Sequence, residues 1–142
     1  MTHGLDAAHL VMDRQQQLAA KQFAECRRTL KAHQQQLLDL QRYREEYRQR
    51  LNADSLVRRG QSLQQFHRFI IQLERGIEQQ RQTIIALEKQ CEEKRQLWLQ
   101  AHHKVKAVEN LRQRQRLHEQ AKADRREQKA ADEISLRSRF KP

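Results

Sequence analysis

His102 and His103 stand side by side, and Cys26 and Cys91 lie 65 residues apart; these are the groups of the sequence best suited to hold a metal ion or attack an electrophile. Two metal ligands on one helix face need a spacing of four, and no two of the seven histidines have it. Adjacent His102 and His103 point in different directions. The cysteines belong to no paired-thiol motif, so they read as ordinary reduced thiols. Gly4, Gly60 and Gly76 are isolated, which leaves no glycine-rich loop to cradle a phosphate. The Asp and Glu residues are interleaved with Lys and Arg, the pattern of a solvated helix flank rather than of an acid–base pair. The sequence therefore predicts no enzyme, no cofactor, no metal site and no small-molecule substrate.

What remains is structure. Of 142 residues, 37% are hydrophobic, 33% charged and 5% aromatic, and the one proline is the last residue. Globular domains usually run at about 45–50% apolar. So few breakers leave room only for few, long elements. Heptad spacing distinguishes order from disorder here. Stepping +4, +3 from Leu5 through Met12, Phe23, Cys26, Leu30, Leu37, Leu40 and Tyr47 to Leu51, ten of fourteen slots are apolar. Stepping +3, +4 from Leu63 through Phe66, Ile70, Leu73, Ile77, Ile84, Leu87, Cys91 and Trp98 to Val108, twelve of fourteen are apolar. Stripes this long indicate a coiled coil.

Between them lies "NADSLVRRGQS", whose Asn, Asp, Ser and Gly suit a turn, with Ser62 and Gln65 spaced as a capping box. The expected fold is all-α: a single elongated domain over 1–142, with helix 1 at about 5–52, a turn at about 53–61 and helix 2 at about 62–138, folded as an antiparallel hairpin. Folding the stripes about the turn sets Leu51 against Leu63, Tyr47 against Phe66, Leu40 against Leu73, Leu30 against Ile84 and Leu5 against Val108. It also sets His33 against Gln80, a polar pair able to pin register, and Gln16 against Trp98. Both stripes end together, so residues from about 109 to 138 are expected to overhang without a partner in the chain. At ~1.5 Å per residue this is on the order of 45 Å beyond a hairpin of roughly 70 Å.

The formal charge of +11 makes nucleic acid the first partner to consider. Residues 109–142 carry ten Lys or Arg against six Asp or Glu, a mixed surface and not a phosphate-tracking tract, and no aromatic cluster offers a stacking platform. Nucleic acid is therefore not expected. The N-terminus lacks the pattern of a signal peptide, and no run approaches the ~18 apolar residues of a membrane span. A soluble, cytoplasmic protein is expected.

Four blocks, "LLDLQRYREEYRQRLNADS", "FHRFIIQLERGIEQQ", "WLQAHHKVKAVENLRQRQ" and "RREQKAADE", resemble in order the flagellar export protein FliJ family. The resemblance spreads over most of the chain; the stalk of virulence type III secretion systems is the nearest alternative family. It implies a stalk-like, non-enzymatic component of the flagellar export apparatus. Such a component inserts in the hexameric flagellar export ATPase and promotes its assembly and activity. It also touches the export gate protein FlhA and handles export chaperones, sitting at the inner membrane through these partners. By alignment the gate contact falls on Phe69, Leu73, Gly76 and Gln80, which share one helix face. The partnerless C-terminal helix then has the ATPase ring as its partner, with Arg125, Arg126, Lys129, Asp132 and Glu133 as the expected contacts. A generic coiled-coil scaffold and a nucleic-acid binder are the competing classes.

Overall fold

The computed structural model describes residues 2–53 and 60–140, with side chains described over 4–52 and 63–140. Two α-helices account for nearly all of this: α1, Thr2–Ala53, and α2, Gly60–Arg139. They pack against each other as a hairpin, the second longer than the first. The turn, Asn52 to Ser62, falls mostly on residues 54–59, outside the described residues, as do the side chains of the expected Ser62 cap. Arg137 and Arg139 lie in the last turn of α2, where cations complement the helix dipole.

The heptad stripes form the seam. All fourteen slots on α1 are half-buried, and all fourteen on α2 are buried or half-buried. Among the described residues the buried apolar side chains are Ile77, Ile84, Cys91, Val105 and Val108, all on α2. Among the seam residues expected from sequence, Ile77 is thus fully enclosed and Ile84 buried. Leu30, Leu37, Leu40, Tyr47, Leu51, Leu63, Phe66, Ile70, Leu87 and Trp98 are half-buried.

The chain divides into two compact units, one of Met1–Leu18 with Leu99–Pro142, the other of Ala19–Trp98. In the second, Tyr47 stacks on Phe66 with ring centroids 4.2 Å apart. In the same unit the Gln80 amide N–H group donates to the His33 carbonyl at 3.0 Å and to Gln36 Oε1 at 3.2 Å. His33 Nδ1 lies 2.7 Å from the same nitrogen. The polar slots meet each other, so neither is left to face an apolar partner. Arg48 and Glu74 add an ion pair on the flank.

In the first unit Gln16 Oε1 lies 2.9 Å from His102 Nδ1. His9 Nε2–H donates to Glu109 Oε1 at 3.4 Å. Arg112 Nε sits 2.9 Å from Asp6 Oδ1, an ion pair by distance whose N–H is not aimed well enough to count as a hydrogen bond. Sequence spacing ends the pairing at Val108; these contacts carry it a further turn, to Arg112. Gln115 is the last half-buried residue, and every residue from Arg116 to Phe140 is exposed.

The His9 contact bears on acid stability. His9 first, then Lys106, holds the Glu109 carboxyl below its ordinary value. A carboxyl titrating lower in the folded than in the unfolded chain favours folding when ionised. Its contribution is present above the unfolded value, about 4.3, and is lost as pH falls through the depressed folded one. We expect Glu109→Gln to lower the melting midpoint near neutral pH and to match the unmutated chain in strong acid. A gap between them that persists in acid would rule this out.

Candidate functional site

Two surfaces carry the residues singled out above. The first lies on the Ala19–Trp98 unit. Phe69, Leu73, Gly76 and Gln80 follow one another at i, i+4, i+7 and i+11 on α2, and all four are half-buried. Phe69 is less free than its place off the seam implies. Its ring meets Tyr43 edge-on at 6.0 Å and Tyr47 at 4.6 Å, so aromatic packing across the hairpin occupies part of it. Tyr43 stays 45% exposed and forms the outer edge of this cluster. Gln80 has its amide nitrogen engaged in the His33 layer. Beside Tyr43, Arg44 occupies a seam slot with its Nε buried and without a hydrogen-bond partner.

Gly76 is the unusual member. It sits within a long helix at negative φ, and a Cβ added there would meet nothing within 4 Å. Nothing inside the chain requires a glycine, which in a helix interior is about 0.5–1 kcal/mol worse than alanine. Gly76→Ala should therefore stabilise the protein by about that amount, read as a melting midpoint a few degrees higher. A lower midpoint would mean that the notch is needed for packing.

The second surface is the exposed part of α2. From Arg116 to Phe140 it carries seven Lys or Arg and five Asp or Glu, so like charges do not accumulate. Arg125, Arg126, Lys129, Asp132 and Glu133 are all exposed, and a shallow concavity is bounded by Asp124, Arg125, Gln128 and Lys129. Leu117, Ile134, Leu136 and Phe140 are exposed here as well, Phe140 at 82%. These apolar residues continue neither heptad stripe. They are single side chains with gaps between them, and isolated exposed apolar residues are common.

Neither surface resembles a reaction centre. They are faces of helices, one aromatic and notched, the other polar and mixed in charge. Among the described residues no helix is long and apolar enough to cross a membrane.

Comparison with curated proteins and with solved structures returned no match. The family described as "Flagellar FliJ protein" matches residues 9–141, which takes in both helices, the aromatic cluster and the exposed C-terminal stretch. A match over nearly the whole of a two-helix hairpin leaves one assignment: the chain belongs to the FliJ family, the non-enzymatic, stalk-like component of the flagellar type III export apparatus.

Proposed function

We propose that this chain occupies the centre of the hexameric flagellar export ATPase, promotes ring assembly and hydrolysis, and links the ring to the export gate protein FlhA and to export chaperones. The observation that carries this reading is the helical stretch from Arg116 to Arg139, exposed on every residue in a chain of this family. A helix usually needs a buried face to be stable, and among the described residues no other part of this chain supplies one. The ATPase lumen is the partner that does, with Arg125, Arg126, Lys129, Asp132 and Glu133 touching successive subunits. Mixed charge suits a stalk that contacts six similar sites in turn, because no one contact is tight enough to hold it. The gate contact is made by the Phe69–Leu73–Gly76 face with Tyr43 at its edge, and Gln80 contributes least because its amide is already used. The protein works at the cytoplasmic side of the inner membrane and is held there by these partners.

The test is the hydrolysis rate of the cognate export ATPase, titrated with this protein and with the triple variant Arg125→Glu, Arg126→Glu, Lys129→Glu. Stimulation should saturate near one chain per six ATPase subunits and fall severalfold with the variant. No stimulation by folded full-length protein would remove the ring reading.

A further inference from the structure

Within the Ala19–Trp98 unit the helical pair has two unlike sides. On each helix the residue just after a seam slot falls to one side, and the residue just before it to the other. Arg48 and Glu74, each one past a slot, form an ion pair, so the trailing sides of α1 and α2 adjoin. Tyr43 and Phe69, each one before a slot, meet edge-on, so the leading sides adjoin as well. The leading side carries the aromatic cluster and Gly76. The trailing side carries Leu38, Ile71 and Ile85, which directly follow the seam residues Leu37, Ile70 and Ile84. They are 53%, 49% and 58% exposed, so the pair itself leaves about half of each to solvent.

Their spacing sets them apart from scattered surface residues. Ile71 and Ile85 are two heptads apart on α2. Counting outward from the His33–Gln80 contact brings Ile85 level with Arg28 and Ile71 level with Arg42, with Leu38 between them. The stripe is thus about 20 Å long, roughly four turns of a helix laid along it. At its Ile85 end, Ala24, Arg27, Arg28, Leu30, Lys31 and Gln34 bound an open groove of about 590 Å³ on α1. No carboxylate lines this groove, and among the described residues Arg28 and Lys31 make no ion pair. By contrast Arg48, Arg81 and Arg95, on the same side of the pair, are matched with Glu74, Glu78 and Glu92.

We propose that the trailing side docks an amphipathic helix of an acidic partner protein, whose apolar stripe covers Ile71, Leu38 and Ile85 and whose carboxylates meet Arg27, Arg28 and Lys31.

Aliphatic side chains in heptad phase are what a further helix packs against in a coiled coil. Unneutralised cations at one end of the stripe select the partner's charge and fix its direction. Nucleic acid would instead call for cations along the whole length. Two copies of a chain with a formal charge of +11 repel each other, which weighs against a second copy as the occupant. The inference rests on neither the ring reading nor the gate contact, which use the exposed end of α2 and the leading side.

The test titrates full-length protein into a fluorescent three-heptad peptide with Leu at positions a and d and Glu at e and g, read by anisotropy. Salt is held at about 150 mM to screen loose charge attraction. The peptide should bind saturably, one per chain, and its counterpart with Lys in place of Glu should not bind. Leu38→Asp and Ile85→Asp, at exposed positions, should keep the helical signal and weaken binding by about tenfold or more. The pair Arg28→Glu, Lys31→Glu should do the same. Arg114→Glu with Lys122→Glu, an equal change of charge away from the stripe, should stay within about twofold. Equal weakening by the two charge pairs would reduce the binding to general attraction by a basic protein and overturn the proposal. So would undiminished binding by Leu38→Asp and Ile85→Asp, or sedimentation showing the chain alone dimerised through these residues. Tighter binding of duplex DNA or phosphatidylserine vesicles that needs Leu38 and Ile85 would assign the side to that ligand instead.

Discussion

Ile84→Asp should collapse the hairpin, while Ile85→Asp, one residue on, should leave it nearly unchanged. Ile84 is 7% exposed and lies in the seam; Ile85 is 58% exposed and points away from it. Truncating a buried isoleucine costs about 2–5 kcal/mol, and an aspartate adds an uncompensated charge with no seam partner to receive it. Typical native stability is only about 5–15 kcal/mol, and the described seam has five buried apolar residues to draw on. Ile84→Asp should therefore lose most of its cooperative helical signal at room temperature. Ile85→Asp should stay within about 0.5 kcal/mol of the unmutated chain, as exposed substitutions do. Circular dichroism melts of both separate the outcomes. Equal effects would mean that the seam does not run where the burial places it.

A chain ending at Gln115 should keep its melting midpoint and lose its stimulation of the ATPase. Removing Arg116 onward takes away helical residues that are exposed throughout and leaves the Arg112–Asp6 and Glu109–His9 contacts intact. The helical signal should drop in proportion to the residues removed, while the midpoint moves by no more than a few degrees. Stimulation of hydrolysis should fall to the level of the ATPase alone if the exposed helix is the ring-facing element. A midpoint lower by more than about 10 °C would show that the stretch supports the hairpin. Full stimulation by the truncated chain would move the ring contact elsewhere.

The helical pair and its seam were legible because a period of seven specifies which face of each helix is buried. Each of the twenty-eight slots counted from Leu5 and Leu63 is at least half-buried, and the polar residues His33 and Gln80 meet as the folded stripes require. Axial detail was less legible. A shift of one turn still sets apolar slots against apolar slots, so the pattern barely penalises it. Pairing accordingly runs on past the last stripe slot, to Arg112. On the face that carries Phe69, spacing placed this residue outside the seam and left open how far its neighbours would cover it. Tyr43 and Tyr47 cover it because long aromatic side chains reach across the flank of a two-helix pair.

The small number of fully buried residues has a thermodynamic consequence. The chain exposes 11868 Å², against about 8,000 Å² for a compact protein of the same size. Less surface is therefore newly wetted on unfolding, by roughly a quarter, and the heat-capacity increment shrinks with it. A smaller increment flattens the curve of stability against temperature. The hairpin should lose little on cooling, and its stability should vary gently across the temperatures at which a cell grows.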